Sequence, residues 1–180
     1  MASQHEQGAA QRGVFLHYQL QGGRLEGAEA LIRWRPGPGR LVPPDRLIPL
    51  AEDMGLIAAV SDWVLARACC DASGWGDDRY VSVNISPLEF CTTDLTQRVA
   101  RVLASSGLPA TRLELEITEN VTFTHPQQAL AVMQELRALG VRLTVDDFGT
   151  GYATLGYLKT FPFSGLKIDP ALLERGTLAS

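Results

Sequence analysis

Glu29, Asn84, Glu116 and the adjacent Asp146 and Asp147 sit at or near the ends of short apolar runs in this 180-residue chain. If they converge, four carboxylates and one amide share a site. Like charges held that close repel and raise one another's pKa, and a cation resolves the conflict. Every donor is a hard oxygen and no His or Cys joins them, which favours Mg2+ or Mn2+ over zinc. Lys167 supplies a positive charge at the same rim, and Arg33, facing as Glu29 does, supplies another. Carboxylate-held divalent ions beside Lys and Arg suit a phosphoryl oxyanion, and two metals about 4 Å apart are a recurrent clamp for phosphodiester hydrolysis. Coordination would lower the pKa of an attacking water. A carboxylate-pair glycosidase fits less well, because Asn84, Lys167 and the hard-donor cluster suit phosphate better.

Such a site needs elements that bring distant residues to one edge. Six runs read as strands: 15–20, 28–34, 80–85, 112–118, 141–146 and 165–169. Side chains of a strand alternate between two faces. Val81, Val83 and Ile85 share one face, with Ser82 and Asn84 on the other. The same parity sets Glu114 and Glu116 apart from Leu113, Leu115 and Ile117, sets Thr144 and Asp146 apart from Leu143 and Val145, and sets Lys167 apart from Leu166 and Ile168. Central strands buried on both faces normally read as unbroken apolar runs. A polar set repeated in strand after strand therefore points to a ligand at the C-terminal ends, where barrels and open α/β sheets place theirs.

Helical patterns separate most of the strands. They run from Pro44 to Met54 with Gly55 as the stop, from Ser61 to Ala72, from Asp94 to Ala104 capped by Thr92 or Thr93, from Pro126 to Gly140, and from Tyr152 to Lys159. In the second, Trp63, Val64, Ala68 and Ala72 are expected on one buried face. Strand–helix alternation is the signature of βα units, with parallel strands and right-handed crossovers. The first two runs are only a hairpin apart around Gly22-Gly23, so the first strand is expected antiparallel to the second. A closed βα barrel and an open doubly wound sheet both fit this order.

Composition narrows the class. The formal net charge is −4, so non-specific binding to DNA is disfavoured. Apolar residues make up 46 % of the chain and charged residues 20 %, as in a globular domain. Three cysteines, two of them adjacent, are no disulfide framework and suggest a reducing cytoplasm. No apolar run is long enough for a membrane span. Residues 1–13 are small and polar and are expected to form a disordered lead-in.

The motifs follow one another in a recognisable order: Glu29-Ala30-Leu31 with Arg33-Trp34, Leu47 to Glu52, Val83-Asn84-Ile85-Ser86-Pro87, Leu115-Glu116-Ile117-Thr118-Glu119, Asp146-Asp147-Phe148-Gly149-Thr150-Gly151-Tyr152, and Lys167-Ile168-Asp169. Together they resemble the EAL-domain family of cyclic di-GMP phosphodiesterases. The resemblance implies an α/β, modified TIM-type βα barrel that hydrolyses bacterial cyclic di-GMP to linear pGpG. It also implies dependence on Mg2+ or Mn2+, with two ions, and inhibition by Ca2+. By the same resemblance Glu29, Asn84, Glu116 and Asp146 hold the first metal, Asp146 bridges to a second, and Asp147 helps to hold that one. Lys167 would contact the attacking water or phosphate, so that Glu29, Asp147 and Lys167 form the catalytic set. Gln19, Leu31 and Arg33 would touch the dinucleotide. Glu119 would anchor the loop from Phe148 to Tyr152, which in the family shapes a homodimer interface. Family members often follow a sensor or diguanylate cyclase domain.

The family continues past the equivalent of Asp169 through two further βα segments, carrying a Glu-Gly-Val-Glu and a Gln-Gly motif that this sequence lacks. Residues 14–180 are therefore expected to form an EAL domain without its C-terminal part, with about six of eight strands and a second metal short of one ligand. A different class of function is consistent with that: a catalytically inactive module that binds cyclic di-GMP or another protein.

Overall fold

The computed structural model describes residues 13–21, 26–76, 78–91, 94–118, 126–148 and 159–168. Strands β1 (Gly13–Gln21) and β2 (Gly27–Gly37) form the expected antiparallel hairpin, in register from Gly13 opposite Arg35 to Gln21 opposite Gly27. A short β3 (Arg40–Val42), absent from the sequence reading, folds back on the end of β2. The turn between them needs Gly39, whose φ of +71° few other residues adopt. Helix α1 (Pro44–Asp53) begins with Pro44 in its first turn, where the missing N–H costs nothing.

Helix α2 spans Ile57–Ser73, starting at Ile57 and not at Ser61. Its buried face is Ser61, Val64, Leu65, Ala68, Cys69 and Ala72, a helical spacing that leaves Trp63 40 % exposed, contrary to the sequence expectation. Then follow β4 (Tyr80–Asn84), a 3-10 turn over Pro87–Cys91, α3 (Leu95–Ser106), β5 (Leu113–Thr118), α4 (Pro126–Ala138), β6 (Arg142–Phe148) and β7 (Gly165–Ile168). Gly107 ends α3 in the left-handed conformation, its N–H bonded to Leu103 O at 3.0 Å. The helix expected over 152–159 lies outside the described residues.

The strands form one sheet in the order β1-β2-β4-β5-β6-β7, with β3 attached to β2. Along β2-β4-β5-β6-β7 every pair is parallel, as alternating strands and helices require, whereas β3 pairs antiparallel with β2. The architecture is an incomplete βα barrel whose first strand runs against the rest, and among the described residues the sheet does not close.

The core lies between the sheet's outer face and the helices. Ala30, Val81, Val83, Leu113, Leu115 and Leu143 meet Leu65, Val99, Met133 and Leu136 there, all essentially without solvent contact. The parity of β4, β5 and β6 is thus borne out. On β7, Leu166 and Ile168 remain 38 % and 45 % exposed.

A polar chain also runs through the helical layer and fixes the segment after β4. Ser86 Oγ donates to Glu52 Oε1 at 2.5 Å, and Ser86 N–H donates to Glu89 Oε2 at 3.3 Å. Buried Arg98 donates to Glu89 Oε1 at 2.9 Å, to Asp62 Oδ1 at 2.6 Å and to Ala58 O at 3.1 Å. Four elements are tied together behind Asn84 in this way.

Candidate functional site

Parity turns the polar residues of six strands toward one interior. Antiparallel register sets Gln19 directly opposite Glu29, and parallel register aligns Glu29 with Ser82, Asn84 with Glu116, and Thr118 with Asp146. Glu29, Asn84, Glu116 and Lys167 therefore come together from β2, β4, β5 and β7.

Their side chains form one connected set. Asn84 Nδ2 donates to Glu29 Oε1 at 2.7 Å. The Lys167 ammonium is hydrogen-bonded to Glu116 Oε1 and stands 3.6 Å from Glu29 Oε2. Gln21, which the sequence reading did not single out, donates its amide to Glu29 Oε2 at 3.1 Å and to Glu116 Oε1 at 3.2 Å. The Gln21 carbonyl accepts from Tyr80 Oη and Ser82 Oγ, each at 3.3 Å. The signal for Gln21 was available in principle: it shares the parity of Gln19 on β1.

Electrostatics follow from burial. Glu116 is almost wholly enclosed, and burial pushes its carboxyl above the usual carboxylate range, against the pull of the Lys167 ammonium. For Lys167 burial works in the other direction, but Glu116, Glu29 and Asp146 outweigh it and hold the ammonium above its ordinary value. Lys167 thus stays charged at neutral pH. Glu116 Oε2 is buried with no hydrogen-bond partner among the described residues. Such an atom is rare and costly in a native interior, and it marks where a cation would find a ready donor. The donors on offer are a carboxylate pair and an amide, the hard oxygens that Mg2+ and Mn2+ prefer. Among the described residues, though, no three Asp, Glu, His or Cys side chains are drawn together tightly enough to hold an ion as they stand.

The other expected residues fall into place unevenly. Asp146 lies on the inner side of β6, and its charge acts on Lys167. Leu31 and Arg33 continue the inner side of β2 beyond Glu29, opposite His17 and Phe15. Arg33 Nη1 donates to Ile32 O at 2.9 Å. The Asp147 side chain, Glu119 and residues 149–152 of the expected loop lie outside the described residues.

Below these groups the interior is filled by a second polar layer. The Tyr80 ring lies over Gly27, where a Cβ would come within 2.5 Å of it. The Arg142 guanidinium stacks 4.5 Å above that ring and stands 3.6 Å from the buried carboxylate of Glu114. Glu114 is therefore part of the floor.

The model of the EAL domain matches residues 3–178. The chain belongs to the EAL domain family. This EAL chain is 43 % identical over 178 residues to an uncharacterized signaling protein of Caulobacter vibrioides, covering 97 % of the chain and 22 % of that protein. It is 39 % identical over 176 residues to the bifunctional diguanylate cyclase/cyclic di-GMP phosphodiesterase MucR of Pseudomonas aeruginosa, covering 93 % of the chain and 26 % of MucR. It thus spans about a quarter of the length of these curated relatives. Among solved structures, the PaMucR phosphodiesterase in complex with c-di-GMP matches with a TM-score of 0.83 and 37 % identity, over 91 % of this chain and 70 % of that one. The Xanthomonas citri FimX EAL domain in complex with c-di-GMP matches with a TM-score of 0.80 and 27 % identity, over 93 % and 68 %. Among the described residues no helix is long and apolar enough to cross a membrane.

Proposed function

We propose that this EAL chain binds cyclic di-GMP and hydrolyses one of its phosphodiester bonds to give linear pGpG, with Mg2+ or Mn2+ as cofactor. The observation that carries the reading is the meeting of Glu29, Asn84, Glu116 and Lys167 around a buried carboxylate oxygen that has no hydrogen-bond partner among the described residues. The relatives named as cyclic di-GMP phosphodiesterases support it.

On this reading Glu29, Asn84, Glu116 and Asp146 would hold the first ion, and Asp146 with Asp147 a second. Once bound, such ions would supply Lewis acidity toward the phosphoryl oxygens and would lower the pKa of water. The chain's own groups do the rest. Lys167, kept cationic by its carboxylate neighbours, can donate to the oxygen on which negative charge develops. Gln19, Leu31 and Arg33 line the way from Glu29 along the inner face, where a dinucleotide would be oriented, and the Arg33 guanidinium suits a phosphate. Hydrolysis adds one water across one P–O bond and opens the ring. A homodimer and further domains of the longer protein belong to the same proposal.

The test is incubation of the chain with cyclic di-GMP and Mn2+ or Mg2+, followed by chromatography of the products. Formation of pGpG, abolished by Glu29→Ala, is expected. A second reading is binding without turnover. Calorimetric binding of cyclic di-GMP with no pGpG formed would decide for it.

A further inference from the structure

Gln21 occupies a position that the catalytic reading does not use. Its side chain is pinned at both ends of one amide. The carbonyl accepts from Tyr80 Oη and Ser82 Oγ, and the nitrogen donates to Glu29 Oε2 and Glu116 Oε1. The chemistry fixes this orientation. Ionised carboxylates only accept, and hydroxyls are free to donate, so a flipped amide would set oxygen against oxygen at the carboxylates. The neutral amide NH2 carries two hydrogens, so it can tie two carboxylates at once without adding charge.

The division of oxygens matters. Gln21 and Lys167 both engage Glu29 Oε2 and Glu116 Oε1. Glu29 Oε1 is left to Asn84, and Glu116 Oε2 is left without a partner among the described residues. One oxygen of each carboxylate is thus held from within, and the other belongs to the set that would meet a cation.

We propose that Gln21 is a positioning residue for the divalent-metal site: its amide clamps Glu29 Oε2 and Glu116 Oε1, so that Glu29 Oε1, Glu116 Oε2 and Asn84 are left to the ion. The inference rests on the metal-dependent reading above and deepens it. It assigns the orientation of both carboxylates to a β1 side chain that itself touches neither ion nor substrate. Groups that orient metal ligands in this way typically change metal affinity or activity by about 10- to 100-fold when removed.

The test compares the chain with Gln21→Leu and Tyr80→Phe. Mn2+ affinity is read by electron paramagnetic resonance, folding by thermal melts in EDTA, and turnover by pGpG formation. Gln21→Leu is expected to weaken Mn2+ binding and lower kcat by about 10-fold or more, with KM for cyclic di-GMP kept within about twofold. Tyr80→Phe retains every proposed ligand and removes only one of the two hydroxyls that hold the amide, so a smaller loss of roughly fivefold is expected in the same direction. Mn2+ affinity and kcat at unsubstituted levels in a folded Gln21→Leu chain would overturn the inference and leave the metal-dependent reading standing. If Gln21→Leu fails to fold, unchanged Mn2+ affinity in Tyr80→Phe overturns it equally. A chain without substitutions that neither binds Mn2+ nor forms pGpG would instead remove the reading, and the inference with it.

Discussion

Replacing Lys167 with Met tests the electrostatics of the interior without touching a carboxylate. In the intact chain its ammonium is hydrogen-bonded to Glu116 and stands 3.6 Å from Glu29. Breaking a fully buried pair by removing one partner costs about 3–5 kcal/mol, because the other charge is stranded. Here the side chain of Lys167 is 30 % exposed while that of Glu116 is 0 %. Water can reach part of the vacated space, and the Gln21 amide stays on Glu116 Oε1 at 3.2 Å. Discounted for both, the expected loss is about 2 kcal/mol at pH 7 in metal-free buffer. The pH dependence has a definite sign. Burial already raises the folded-state pKa of Glu116 above the ordinary carboxylate value. A raised acid pKa contributes stability that is complete below the unfolded value and is lost as pH rises through the folded one. Without Lys167 that pKa moves higher, so the variant should lose stability more steeply than the parent as pH rises from the ordinary glutamate range toward neutrality. Urea unfolding at several pH values in EDTA measures this. Adding Glu116→Gln should restore at least about 1 kcal/mol, since no charge is then stranded. A Lys167→Met chain within about 0.5 kcal/mol of the parent, or a double variant showing the plain sum of both losses, would refute the reasoning.

Three further expectations follow from the helical layer and from the floor of the site. Arg98→Leu leaves Glu89 and Asp62 behind and should cost about 3–5 kcal/mol in urea unfolding; since burial already raises the Glu89 carboxyl, Glu89→Gln added to it should recover part of the loss, most at neutral pH and least near the ordinary carboxylate range. Burial pushes the Cys69 thiol up to about 12 while Cys70 is exposed, so in a Cys91→Ser background a disulfide reagent at pH 8 should modify one thiol quickly and the second only on unfolding. Gly27→Ala brings a Cβ to within 2.5 Å of the Tyr80 ring and should lower stability by about 1–3 kcal/mol, a loss that Tyr80→Ser should reduce; a Gly27→Ala chain as stable as the parent contradicts the stacked floor.

What could be read from the sequence was what alternation dictates. Val81, Val83 and Ile85, and Leu113, Leu115 and Ile117, fell on the helix-covered face as their spacing required, and their polar neighbours fell inside. The hairpin followed from the short link between the first two runs. Elements shaped by tertiary context did not show themselves. β3 is three residues long and exists because it pairs with β2. Trp63 reads as core by composition, yet the helix turns it outward. Gln21 carries no motif, and its partners Tyr80, Ser82, Glu29 and Glu116 come from strands that meet only after folding. Nothing in the sequence names Arg142 as the partner of Glu114, because the two strands meet only after folding.

The reversed direction of β1 has a consequence for how the chain tolerates change. A strand that climbs with its neighbours reaches the rim at its far end, but β1 descends, so it meets Glu29 through Gln19 and arrives beneath the carboxylates at Gln21. Sliding the hairpin by a single step would exchange its two sides, swinging Leu16, Tyr18 and Leu20 inward and both glutamines out of reach. The ladder from Gly13 to Gln21 therefore acts as a ruler, and lengthening or shortening the chain within it is tolerable only in even steps.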